Sequence, residues 1–142
     1  MKKTEKEVLG RINQVGKNTM IELLDIKFTA IGDDFVEATM PVTSRVHQPD
    51  GVLHGGASVV LAETVGSVAS YVLLDSENFF VRGIEINANH TKSIKEGIIT
   101  ARAEFIHKGR TTQVWDIRIR DEEGNLICAS KLTTIALPKN SK

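Results

Sequence analysis

The sequence predicts an α+β fold in which one antiparallel sheet of about six strands wraps round one long central helix. Two observations support this prediction. A nearly continuous apolar run from Gly55 to Leu74 is too long for a single strand and is typical of a helix. Two shorter strand-like runs precede it and four follow it, separated by polar, glycine-containing breaks.

The N-terminal part predicts a short helix and then a hairpin. Three apolar residues share one side of this amphipathic helix, which ends near Gly16 and which we interpret as a lid or packing element: Val8, Leu9 and Ile12. The runs IELLDIKFTAI, residues 21–31, and DFVEATMPV, residues 34–42, meet at Gly32-Asp33-Asp34 and predict two paired strands.

The central run predicts a buried helix, because apolar residues cover most of its circumference: Val59, Val60, Leu61, Val65, Val68, Ala69, Val72 and Leu73. Four strands follow, with the sequences VRGIEINANHT, IITARAEFIH, TTQVWDIRIRD and LICASKLTTIAL. The breaks between them are short, as antiparallel connections require: Lys95-Glu96-Gly97, Lys108-Gly109-Arg110 and Glu122-Glu123-Gly124-Asn125. The edge strands of such a sheet predict a homodimer, because pairing them across a two-fold axis protects them.

Composition predicts one domain over residues 1–142 and excludes several classes of partner. The 18 basic and 18 acidic residues cancel and are spread along the chain, which argues against nucleic acid and against an anionic membrane surface. The helix predicted at residues 55–74 is long enough to cross a bilayer, but Glu63 in its middle would cost ~2.5–3.5 kcal/mol on insertion. We therefore expect no membrane association.

Cysteine usage and the N-terminus predict a cytoplasmic protein. Cys128 is the only cysteine, so no internal disulfide can form, and its position in a strand favours a buried structural thiol. The first residues carry many charges and lack the apolar core of a signal peptide.

Candidate catalytic residues cluster around the start of the central helix. Gln48 lies in the preceding loop, His54 and Gly55 open the helix, and Glu63 and Ser67 lie four residues apart on one face. The free N–H groups of a helix start suit a carbonyl oxygen that gains negative charge, and a carboxylate beside a hydroxyl-held water can attack it. These features are the minimum needed to hydrolyse an activated acyl group.

Structural interpretations stay open for each of these residues. Glu63 can be an ion-pair partner or an exposed residue, His54 a helix cap, and Ser67 a small residue in the core. The four histidines lack metal-ligand spacing, so we expect no metal and no cofactor. Ala57 stands where a phosphate-binding loop needs lysine, and no GxSxG motif is present.

The segment HQPDGVLHGGASVVLAETVGSVAS, residues 47–70, resembles the hotdog-fold acyl-CoA thioesterases of the phenylacetate-degradation (PaaI-like) type. That family includes enzymes acting on hydroxybenzoyl, dihydroxybenzoyl-carrier-protein and dihydroxynaphthoyl thioesters. The later runs GIEINANH, EGIITARAEFIHKGR and QVWDIRIRDEEGNLICASKLTT are similar to it as well. The resemblance implies a hotdog fold and hydrolysis of an acyl-CoA with an aromatic acyl group.

The resemblance also implies a role for each site residue. Glu63 would be the nucleophile or general base, Gln48 and the Gly55 N–H would polarise the thioester carbonyl, Ser67 would hold the water, and His54 would orient the thioester. Five further positions would line the pantetheine channel or meet the nucleotide: Gly83, His90, Lys92, Arg110 and Thr111. Assembly as a homotetramer is implied too.

Two other functions remain open at this point. Hotdog domains also act as dehydratases, but that chemistry generally pairs a histidine with the acidic residue, whereas here Ser67 stands in the supporting position. An acyl-CoA-binding or sensing module without turnover would not need Glu63.

Helix geometry predicts a site shared between two chains. Gly55 and Glu63 are eight residues apart, which is ~12 Å along one helix, whereas both must approach the reacting carbon within ~3 Å. We therefore expect a homodimer with composite active sites.

Overall fold

The computed structural model describes residues 2–140, so the first residue and the last two of the predicted domain lie outside it. Its elements, in chain order, are α1 Glu5–Val15, α2 Met20–Leu23, β1 Lys27–Ile31, β2 Phe35–Val42, a 3-10 turn Ser44–Val46, α3 Gly55–Leu73, β3 Phe79–His90, β4 Gly97–Lys108, β5 Thr112–Arg120 and β6 Leu126–Pro138.

The six strands form one antiparallel sheet in the order β1-β2-β4-β5-β6-β3, and α3 packs on one of its faces. Leu61 and Val65 of α3 are completely buried in a core that includes Ile117 and Leu132 of the sheet. At Gly66 an added Cβ would lie 2.6 Å from a Leu132 methyl, so only glycine lets the helix approach this closely. The predicted α+β architecture is confirmed.

Around α1 the structure confirms the helix and shows what it packs against. Thr4 and Glu7 form a capping box at its start, and Gly16 follows its last residue. The Asn13 side chain accepts a hydrogen bond from the Phe28 N–H (2.9 Å) and donates one to the Phe28 carbonyl (3.0 Å). Helix α1 is therefore a packing element, and it supplies hydrogen-bond partners to the backbone groups of Phe28 at the free edge of β1.

The predicted strand over residues 21–31 is wrong in its first half. Thr19 caps a one-turn helix, α2, by accepting a hydrogen bond from the Ile21 N–H. Asp25 then adopts a left-handed conformation (φ 54°), and β1 begins only at Lys27. The hairpin itself is confirmed, since β1 pairs with β2 in antiparallel register.

The break at residues 95–97 is not a hairpin, which corrects the prediction of an antiparallel connection there. Strand β3 pairs with β6 along most of its length, whereas β4 pairs with β2 on the other side of the sheet. The cause is α3, which spans about 28 Å and delivers the chain to the far edge. The other two breaks do join paired neighbours, β4 with β5 and β5 with β6.

The prediction that α3 is buried nearly all round is also wrong for a single chain. Glu63, Ser67 and Tyr71 recur at four-residue spacing and are exposed, and we call this stripe the open face of α3. It exists because the sheet covers only the opposite side of the helix. By length and hydropathy alone α3 could cross a membrane, but in this fold it is the helix that packs on the sheet.

Candidate active site

The start of α3 presents backbone donors held in place by His54. This residue is the N-cap, and its Nδ1 accepts a hydrogen bond from the Gly56 N–H at 2.8 Å. Within residues 2–140 no group accepts a hydrogen bond from the Gly55 N–H, as expected for the first residue of a helix. The partial positive charge of the helix end adds to this donor, so the site suits an oxygen that gains negative charge.

A cavity of about 280 Å³ opens at this helix end. Gln48 and Gly55 line it together with His90 and Lys92. The His90 ring lies so close to Gly55 that a Cβ added there would be 2.8 Å from His90 Nε2. Four of the predicted site residues are thus gathered round one small cavity.

The loop before α3 fixes the position of Gln48. The Gln48 N–H donates to the Val52 carbonyl (2.8 Å), and the Gln48 carbonyl accepts from the Gly51 N–H (3.0 Å). Gly51 has a φ of 81°, which favours glycine over other residues. Gln48 therefore lines the cavity from a tight turn.

Ser58 belongs to the same cavity and was missed at the level of sequence. Its side chain is 1% exposed, and its hydroxyl has no hydrogen-bond partner among the described residues. The sequence does contain a signal that could have identified it: Ser58 follows Gly55 by three residues, so the two lie on the same face of the helix.

Glu63 lies apart from this cavity, on the open face of α3 with Ser67. Within the described part of the chain the Glu63 carboxylate makes no hydrogen bond or ion pair. Strand β3 passes beside it, since a Cβ added to Gly83 would lie 3.3 Å from Glu63 Oε1. One chain therefore holds the carboxylate and the backbone donor ~12 Å apart along α3.

The remaining predicted contacts lie in different places. Lys92 is 3.9 Å from Asp121 Oδ2 beside the first cavity. Arg110 lines a second cavity, of about 400 Å³, near the C-terminal end of α3. Thr111 is exposed in the turn between β4 and β5, where its carbonyl accepts from the Ala136 N–H at 2.7 Å.

A buried hydrogen-bond network holds the turn that carries Arg110. The Gln113 amide donates to the Gly109 carbonyl (2.9 Å), and Gln113 Oε1 accepts from the Thr134 hydroxyl (2.9 Å). The Trp115 indole N–H donates to the same hydroxyl (3.3 Å). Because these groups are buried, the network ties the turn to the core.

Cys128 is buried, as predicted, and burial raises the pKa of its thiol. It is thus held in the protonated, weakly nucleophilic form. Across residues 2–140 no group of three or more His, Cys, Asp or Glu side chains could hold a metal ion.

Comparison with known proteins assigns a family to this arrangement. The model of the Thioesterase superfamily matches residues 50–128. A 1,4-dihydroxy-2-naphthoyl-CoA hydrolase of Escherichia coli is 52% identical over 132 residues, which cover 93% of this chain and 96% of that protein. A proofreading thioesterase, EntH, of Cronobacter sakazakii is 46% identical over 129 residues, covering 91% and 93%.

Solved structures show the same fold. A thioesterase of Haemophilus influenzae superposes with a TM-score of 0.91 at 45% identity, covering 99% of this chain and 95% of that one. A mutant thioesterase of Pseudomonas aeruginosa gives a TM-score of 0.89 at 48% identity, covering 92% and 94%.

Proposed function

Because this chain belongs to the thioesterase superfamily and is a hotdog-fold thioester hydrolase, we propose that its substrate is an acyl-CoA with an aromatic, hydroxylated acyl group. The observation that carries the proposal is the arrangement along α3. Its first residue, Gly55, lines the same cavity as Gln48 of the preceding loop, and Glu63, whose carboxylate has no partner among residues 2–140, follows two turns later. The naphthoyl-CoA hydrolase relative supports the choice of acyl group.

In this reaction the thioester carbonyl oxygen accepts hydrogen bonds from the Gly55 N–H and the Gln48 side-chain amide. The Glu63 carboxylate attacks the carbonyl carbon, or removes a proton from a water that does so, and Ser67 holds that water. In the general-base route the water oxygen forms a C–O bond, the C–S bond breaks, and the proton that Glu63 took from the water passes to the leaving thiolate of CoA. In the nucleophilic route the C–S bond breaks as a mixed anhydride with Glu63 forms, the thiolate takes a proton from solvent, and a water then hydrolyses the anhydride and regenerates the carboxylate. His54 acts by holding Gly56, and with it the donor end, in place.

Two chains must contribute to each site, because ~12 Å separates Gly55 from Glu63 along α3. The free edge of the sheet at β3 indicates how the two chains pair. Strand β3 ends the sheet with no strand beyond it among the described residues, and Gly83 of this strand lies beside Glu63. A partner that pairs with β3 across a two-fold axis covers the open face of α3 at the same time, giving two equivalent composite sites.

The remaining expectations complete the proposal. We place the homodimer in the cytoplasm, treat residues 1–142 as one hotdog domain, and expect two dimers to form a homotetramer. His90 and Lys92 beside the first cavity, and Arg110 and Thr111 in the turn after β4, are proposed to contact the pantetheine arm or the nucleotide of CoA.

Replacing Glu63 by glutamine tests the proposal directly. Thiol release from hydroxybenzoyl-CoA should fall by about 10²–10⁴ in kcat, because the variant keeps the size of the side chain and loses the base. Binding of a non-hydrolysable CoA thioether should persist. Glu123→Gln is the matched control, since Glu123 is an exposed glutamate in the β5–β6 turn. A Glu63→Gln enzyme with more than about a tenth of the wild-type kcat contradicts the assigned role.

A further inference from the structure

Among the buried serines of residues 2–140, Ser58 alone has no hydrogen-bond partner within that range. The Ser70 hydroxyl, on the same helix, donates to the Gly66 carbonyl at 3.0 Å, and the Ser130 hydroxyl donates to the Asn87 carbonyl at 2.7 Å. Ser58 Oγ is as buried as these groups and is satisfied by none of the described residues. Buried hydroxyls are normally paired, so this one requires an explanation.

The cavity that Ser58 lines has an open end and a closed end. His90, Thr91 and Lys92 at its mouth are exposed. Ser58 lies at the closed end with Leu53 and Ile127, which are 7% and 2% exposed. Of these three residues only Ser58 has a polar side chain.

The cavity is of a size to take the acyl end of the substrate and not the whole thioester. Its volume of about 280 Å³ lies at the lower limit of small-molecule pockets. The CoA portion must extend to solvent, so the acyl group points to the closed end. Ser58 is one turn beyond Gly55, ~4.5 Å along the helix, which is about the width of one aromatic ring.

Building on the proposed function, we propose that Ser58 determines specificity by forming a hydrogen bond between its hydroxyl and a hydroxyl on the ring of the bound acyl group. The hydroxyl of serine can donate or accept, so it matches a phenol in either sense. An unsubstituted ring fills the same apolar space but leaves Ser58 unpaired, and a site built in this way discriminates against it.

The test compares benzoyl-CoA with the 2-, 3- and 4-hydroxybenzoyl-CoA esters in a thiol-release assay. Wild-type enzyme should prefer at least one hydroxylated ester, in kcat/KM, by about 10-fold or more. In Ser58→Ala the loss on that ester should exceed the loss on benzoyl-CoA by about 5-fold or more, since only the former loses a bond. Ser70→Ala removes a buried serine hydroxyl from the same helix and should keep the wild-type preference; thermal melts verify that both variants fold.

The possible outcomes distinguish the role of Ser58 from the proposed function. Turnover by wild-type enzyme without any preference for a hydroxylated ester overturns the role of Ser58 and leaves the proposed function intact. Equal losses on all four esters in Ser58→Ala also overturn it, because Ser58 would then act on the thioester or pantetheine arm common to them. If wild-type enzyme hydrolyses none of the four esters, the proposed function fails as well.

Discussion

A dimer made from two different inactive chains should recover half of the wild-type activity. One chain carries Glu63→Ala and keeps Gln48; the other carries Gln48→Ala and keeps Glu63. If each site combines the donor end of one chain with the carboxylate of the other, the mixed dimer contains one site with both residues intact and one site with neither. The separation of ~12 Å between Gly55 and Glu63 along α3 is the structural basis for this expectation.

The size of the recovery follows from the losses in the parent dimers. Removing a general base costs about 10²–10⁴ in rate, and removing a donor to the developing oxyanion costs about 10²–10³. Each parent homodimer should therefore retain about 1% of wild-type activity or less. The purified mixed dimer should exceed them by about 50-fold, and an unpurified equal mixture, half of which is mixed dimer, should reach roughly a quarter of wild-type activity.

The two chains are to be co-expressed with different affinity tags, purified through both tags in succession, and assayed for thiol release per dimer. The control is a dimer in which both chains carry Glu63→Ala and each chain has a different tag. It is purified in the same way and reports any effect of the tags or the purification. A mixed dimer no more active than the average of its parents refutes the reasoning, because the site would then be built within one chain.

Three further variants test other parts of the structure. Ser67→Ala should lower kcat with little change in KM, because it loosens a water that other groups still hold; a large rise in KM alone would make it a binding residue. Thr134→Val should lower the free energy of unfolding by about 2–4 kcal/mol in urea denaturation, since it leaves Gln113 Oε1 and the Trp115 indole N–H unpaired in the core; a loss below about 0.5 kcal/mol contradicts this. Gly66→Ala should cost about 1–3 kcal/mol by overpacking, and a neutral result would mean that the helix can shift.

Most of the elements could be predicted because their signals are local. The twofold alternation of apolar residues in β2, β5 and β6 and the long apolar run of α3 follow from side-chain geometry along one segment. The short polar breaks that contain glycine likewise predicted where β4 ends and β5 begins, and where β5 ends and β6 begins. The interruption of residues 21–31 by α2 escaped this reasoning, because a capping threonine at position 19 outweighed the apolar pattern.

The sequence by itself determined the order of the elements and the candidate chemistry, since the spacing of Gly55, Glu63 and Ser67 along a helix sets their separation and their faces. Only the tertiary structure decided that β3 lies at the sheet edge beside Glu63, that the open face of α3 is exposed, and that Ser58 is buried without a partner among residues 2–140. The reason is physical: strand pairing and burial are set by contacts between residues far apart in the chain, and no periodicity within one segment encodes which distant segment will cover it.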